Sequence, residues 1–127
     1  KGSANSPHLV SSIKKEPKSE LSLAPQIWDR ITFDMGQVIS HPKGTGKNAD
    51  PAIEGVEIYG KTGTAENPHG EDHAWFIGWV QYDGRKFSIV VLLENSGSGG
   101  AVAAPVAKNV FDKIISGIIN SKQISLK

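Results

Sequence analysis

Residues 73–94 read HAWFIGWVQYDGRKFSIVVLLE, and the dipeptide Asp83-Gly84 near their centre decides the fold. An Asp-Gly pair between two runs rich in aromatic and β-branched side chains specifies a two-residue hairpin turn, because both turn positions need positive φ. The expectation is a strand from His73 to Tyr82 and a second from Arg85 to Glu94. Both faces of this hairpin are apolar, since Phe76, Val80 and Phe87 alternate with Trp75, Ile77, Trp79, Val90 and Leu92. Such strands need cover on both sides, so Trp79 and Val90 are expected to be buried inside the sheet.

Working outward, Val102 to Ile119 places Ala103, Val106, Ala107, Val110, Ile114 and Ile118 at helical spacing. Pro105 is tolerated there because it falls in the first turn. That helix supplies one cover. On the other side, Ser22 can cap a helix with Pro25 in its first turn. Its stripe is Ile27, Trp28, Ile31, Met35, Val38 and Ile39, and Pro42 stops it. A helix over 24–40 is too small to shield the second face, so further chain is expected to pack there. Val56 to Ala65 reads as another strand. His8 to Lys15 alternates weakly, like an edge strand, until Pro17 ends it. Residues 41–55, rich in Gly, Pro, Lys, Asn and Asp, read as an exposed loop of the kind that sits beside sites. The fold class expected is α/β in the α+β sense: an antiparallel sheet with a C-terminal helix packed on one face.

Composition narrows the function classes. The 127 residues suffice for one domain or part of one, and 38% hydrophobic with 21% charged residues is a globular balance. A formal charge of +1 gives no overall field for nucleic acid or an anionic membrane. The absence of Cys excludes a disulfide framework, a thiol nucleophile and cysteine-ligated metal. No apolar run approaches the roughly 20 residues a spanning helix needs.

The chemistry concentrates at Gly60-Lys61-Thr62-Gly63-Thr64-Ala65-Glu66, at the end of a strand. Alternation sends Lys61 and Gly63 to one face and Thr62 and Thr64 to the other. An ammonium and two hydroxyls on a strand edge suit an anionic substrate group, and edge N–H groups are placed to stabilise an oxyanion. Gly63 lets another backbone or a ligand approach closely. Lys61, Thr62 and Thr64 are expected to line a solvent-open groove.

This K-T-G segment, followed by Glu66-Asn67-Pro68-His69-Gly70, Asp72-His73 and Glu94-Asn95 with its glycines, resembles the C-terminal part of the transpeptidase domain of class B penicillin-binding proteins of the cell-elongation type. Pro7-His8-Leu9-Val10 and Met35-x-x-Val38-Ile39 match as well, so the resemblance runs from about residue 7 to 119. It implies a partial β-lactamase/transpeptidase-like fold over 1–127, with 1–6 a flexible N-terminus and 120–127 a tail. It implies a serine D,D-transpeptidase that cross-links peptidoglycan stem peptides and is acylated by β-lactams. Lys61 would then serve proton transfer and electrostatics beside the nucleophile. Thr62, Gly63 and Thr64 would bind the terminal carboxylate of D-Ala-D-Ala, and the Thr64 N–H would be an oxyanion donor. The implied partners are the stem peptide, β-lactams and the remaining N-terminal part of the domain, with no nucleic acid. Membrane contact would come only through parts outside this chain, at the periplasmic side of the inner membrane in the cell envelope.

The nucleophile motif S-x-x-K belongs on a helix upstream. Ser12-Ile13-Lys14-Lys15 and Ser11-Ser12-Ile13-Lys14 carry the letters but lie in a strand pattern, and Ser3-Ala4-Asn5 sits too near Pro7-His8 to be the S-x-N motif. The chain is therefore read as lacking its nucleophile, and inactive alone. The alternative reading is a non-catalytic module binding stem peptides or β-lactams. His69, Glu71, Asp72 and His73 are a dense set of possible ligands, but Pro68 and Gly70 break any helix that would align them, so no metal and no cofactor is expected. Asp72 and His73 are instead placed to brace the site wall. Asn95 to Gly100 lacks the Lys-Ser/Thr ending of a phosphate loop and reads as a hinge from strand to helix.

Overall fold

The computed structural model describes residues 3–4 and 19–125. In chain order these form two-residue strands β1 (Ser3–Ala4) and β2 (Ser19–Glu20), helix α1 (Pro25–Ser40) and a 3-10 turn at Lys47–Ala49. Strands β3 (Glu57–Ala65), β4 (His73–Tyr82) and β5 (Arg85–Leu93) follow, then a π-helical turn at Gly99–Ala103 and helix α2 (Ala104–Ser125). The chain divides into two compact units, one over residues 1–32 and one over 33–127. The first holds the antiparallel β1–β2 pair and the start of α1. The second holds the sheet, in the order β3-β4-β5 with both pairings antiparallel. The strand read at His8 to Lys15 lies outside the described residues.

Asp83 and Gly84 both have positive φ, 53° and 71°, the backbone of a type I′ turn whose twist suits paired strands. The hairpin register follows, Tyr82 opposite Arg85 through Ala74 opposite Leu93. On the face that includes Ala74, Phe76, Val80 and Val91, all buried, the cover is α2, through Ala104, Ala107, Phe111, Ile115 and Ile118. Spacings of three and four residues keep these side chains on one stripe. The stripe is rotated from the expected one: Ala103, Ala107 and Ile118 are buried as read, but Val106 and Val110 are exposed, and Phe111 and Ile115 take the centre of the core. Helix α2 also runs further than expected, so residues 120–125 are helical and not a tail. Its Lys122 reaches back to Asp83 in the hairpin turn at 2.6 Å.

Gly60 and Gly78 lie directly opposite one another across β3 and β4. A Cβ on Gly60 would sit 2.5 Å from the Phe76 ring, so the ring occupies the space two side chains would otherwise fill. The missing side chains are what let so large a group lie flat on the sheet.

The opposite face corrects the expectation for Trp79 and Val90. Val90 is 66% exposed, Ile77 and Leu92 are exposed beside it, and Trp79 is half-buried. Trp79 is partly covered because Tyr59 stacks on it, with ring centroids 4.9 Å apart and planes 14° from parallel. Alternation forces this outcome, since α2 takes the Phe76 side and every second residue is turned away from it. Burial of the Tyr59 phenol, and secondarily the negative charge and hydrogen bond of Glu57, raise its pKa above 10.0. The folded state thus favours the neutral phenol more than the unfolded chain does. This contribution is fully present below about pH 10 and is lost as pH rises through the folded-state value. An ultraviolet titration should place Tyr59 ionisation above that of free tyrosine, and Tyr59→Phe should remove that component.

The segment read as an exposed loop at 41–55 is partly built into the core. Gly46 and Ala49 are buried, the Gly46 N–H donates to the Val38 carbonyl at 2.9 Å and the Gly44 N–H to the His41 carbonyl at 2.7 Å. These bonds use carbonyls that the end of α1 would otherwise leave unpaired. No helix among the described residues is long and apolar enough to cross a membrane.

Candidate active site

Strand β3 ends in the K-T-G segment and lies outermost in the described sheet. Alternate residues of an outermost strand turn their N–H groups away from the sheet, where they can meet a ligand. Lys61 is exposed, on the face shared with Ile77, Val90 and Leu92, and its Nζ donates to the Thr62 carbonyl at 2.6 Å. Thr64 is exposed on the other face, and its Oγ1 accepts the Gly99 N–H at 3.4 Å. Gly63 between them is half-buried. Thr62 departs from the expected open groove: it is buried, 9% exposed, with its hydroxyl 2.7 Å from the Thr45 hydroxyl. The segment after α1, folded inward, is the physical cause. Lys61 and Thr64 are thus open to solvent while Thr62 lies beneath Thr45.

The start of the π-helical turn holds the other side of the segment. A Cβ on Gly99 would come within 2.3 Å of both the Gly63 and Trp75 carbonyl oxygens, so only a glycine lets this backbone lie on the sheet. The hinge read at Asn95 to Gly100 is seen as positive φ at Asn95 and Gly97, 50° and 84°.

Asp72 and His73 brace that hinge. The Asp72 carbonyl accepts the N–H groups of Ser96 and Gly97, both at 2.9 Å, and His73 Nδ1 accepts the Asn95 N–H at 3.0 Å. Because Nδ1 accepts, the ring proton of a neutral His73 sits on Nε2. Asn67 completes the clamp, its Nδ2 donating to Asn95 Oδ1 at 2.5 Å and its Oδ1 accepting the His69 N–H at 3.0 Å. Among the described residues, no group of three His, Cys, Asp or Glu is gathered as a metal site would require. The S-x-x-K letters at 11–15 fall outside the described residues, as does Asn5 of Ser3-Ala4-Asn5.

Sequence reasoning missed Thr45 and the clamping role of Asn67 and Asn95. The asparagines were visible as part of the family-like string. Thr45 had no such signal, lying 17 residues from its partner in a segment without periodicity.

Comparison with known proteins identifies the family. Residues 1–112 match the penicillin binding protein transpeptidase domain family. The chain is 34% identical to peptidoglycan D,D-transpeptidase MrdA of Haemophilus influenzae, over 87% of this chain and 21% of that protein. It is 33% identical to PbpA of Mycobacterium tuberculosis, over 87% of this chain and 26% of that protein. Among solved structures, Pseudomonas aeruginosa PBP2 in complex with WCK 5153 superposes with a TM-score of 0.62 at 34% identity, over 78% of this chain and 21% of that one. The imipenem acyl-enzyme of penicillin-binding protein A from M. tuberculosis gives 0.57 at 30% identity, over 80% of this chain and 22% of that one. The chain thus spans about a fifth to a quarter of the length of these relatives. With its antiparallel sheet, C-terminal helix and K-T-G strand, the chain belongs to the penicillin-binding protein transpeptidase family and spans part of that domain.

Proposed function

We propose that this chain supplies the substrate-binding strand of a peptidoglycan D,D-transpeptidase of the cell envelope, working at the periplasmic side of the inner membrane. The serine nucleophile comes from another segment of the domain. In the reaction, the serine oxygen attacks the penultimate D-Ala carbonyl and terminal D-Ala leaves. An amine of a second stem peptide then takes the acyl group from the serine. A β-lactam enters the same first step, its ring amide opening instead of a peptide bond. Lys61 provides positive charge and a proton path beside the serine. The Thr62 and Thr64 hydroxyls hold the terminal carboxylate, and the Thr64 N–H faces the developing oxyanion.

The observation that supports this reading most is the pairing of an exposed Lys61 ammonium with an exposed apolar stripe, Ile77, Val90 and Leu92, on one face of the sheet. Contiguous exposed apolar surface marks a contact face. The N-terminal remainder of the domain packs there, which brings its nucleophile to the outer edge of β3, where Lys61 and Thr64 are both open. The earlier acyl-enzyme structure of a relative supports β-lactams as ligands of the assembled site.

The test is acylation by a fluorescent penicillin, read by intact mass. Lys61→Ala in the whole domain should slow acylation by about 10²-fold or more, the scale seen when one charge-stabilising group is removed from a transition state. This chain alone should show no stable mass increase, since a threonine without an adjacent base is a weak nucleophile. A stable adduct on the isolated chain, or full-rate acylation of the Lys61 variant, would refute the reading. Reversible binding without any adduct in the whole domain would favour a non-catalytic module.

A further inference from the structure

We propose that Thr45 is a positioning residue for Thr62, its hydroxyl donating to Thr62 Oγ1 and thereby turning the Thr62 proton toward a substrate carboxylate. The inference rests on the proposed role of Thr62 in holding that carboxylate, and it adds a residue that the K-T-G pattern does not contain.

Geometry carries it. The two hydroxyl oxygens are 2.7 Å apart, and either can be the donor. A hydroxyl has one proton and two lone pairs, whereas a carboxylate only accepts. When Thr62 donates to Thr45 it has no proton left for an anion. A bound carboxylate therefore selects the opposite arrangement, in which Thr45 donates to Thr62 and Thr62 donates to the ligand. Hydrogen bonds arranged head to tail polarise one another, so the anion is held more strongly than by Thr62 alone.

The Thr45 backbone is fixed for this task. Its neighbours Gly44 and Gly46 donate to the His41 and Val38 carbonyls at the end of α1. Across from it, a Cβ on Gly100 would lie 2.5 Å from the Thr45 carbonyl oxygen, and Asn48 Nδ2 holds the Gly100 carbonyl at 3.0 Å. Main chain held on one side by the α1 carbonyls and closely approached by Gly100 on the other limits where the Thr45 side chain can start, and such preorganisation gives a supporting residue leverage on a ligand-binding group.

The experiment measures second-order acylation of the whole domain by benzylpenicillin and by its methyl ester, whose carboxylate is masked. It uses wild type, Thr45→Val, Thr45→Ser and Thr62→Val, with a melting curve for each. Thr45→Val should slow acylation by the free acid about tenfold, one hydrogen bond's worth, while changing the ester rate less than about twofold. Thr45→Ser should remain within about threefold of wild type for both. If the valine variant does not fold, Thr45→Ala takes its place. The proposal is overturned if Thr45→Val matches wild type on the acid, if acid and ester fall equally, or if serine fails to rescue. Thr62→Val separates the two levels. If it is slow while Thr45→Val is normal, only the Thr45 inference fails, and if it too is normal, the carboxylate role of Thr62 fails with it.

Discussion

Gly99→Ala is expected to destabilise the whole transpeptidase domain by about 3 kcal/mol, the upper end of what overpacking costs. The added methyl would lie 2.3 Å from two carbonyl oxygens, those of Gly63 and Trp75, and 3.0 Å from the Gly63 nitrogen. All three are backbone atoms of paired strands, and they cannot swing aside as a flexible side chain would. The π-helical turn must therefore lift from the sheet, and the Gly99 N–H bond to Thr64 goes with it. Denaturant unfolding followed by fluorescence measures the loss. A midpoint equivalent to less than about 0.5 kcal/mol below wild type, the range of ordinary surface changes, would show that the close approach is not tight.

Phe76→Ala should cost about 3–5 kcal/mol, the usual range for deleting a buried aromatic ring. The ring is fully buried, and it lies over the opposed pair Gly60 and Gly78, neither of which has a side chain to relax into the space left behind. Collapse around the cavity is thus poor, which places the effect toward the upper part of that range. Lys86→Ala, at an exposed position of β5, should stay within about 0.5 kcal/mol in the same measurement. Equal losses in the two variants would contradict the assignment of the core to the α2 side of the sheet.

The hairpin and its turn were legible because Asp83-Gly84 is a local signal that acts through two φ angles. Strand β4 runs from His73 to Tyr82 as the residues implied, and α1 begins at Pro25. Which face of the hairpin carries the helix was not legible, since Phe76 and Val80 are no more apolar than Ile77 and Val90. That choice depends on α2, whose stripe through Phe111 and Ile115 lies one helical position from the one periodicity picked out. At the site, K-T-G marked the strand, and the exposure of Lys61 and Thr64 followed from its place in the sheet. The burial of Thr62 did not, because it comes from a hydroxyl in a segment whose glycines and lysines look like solvent-exposed loop.

Helix α2 follows the sheet in the order of synthesis, and that has a cost while the chain is being made. Phe76, Val80 and Val91 leave the ribosome before Phe111 and Ile115, so for about 1–4 s of translation, at roughly 5–20 residues per second, the apolar side of the hairpin is without α2. A stop codon that removes α2 is therefore more damaging than the number of residues lost would imply. It takes away the ion pair from Lys122 to the Asp83 turn and leaves a finished β-ribbon with its sticky side outward, a nascent species that chaperones would hold or proteases clear.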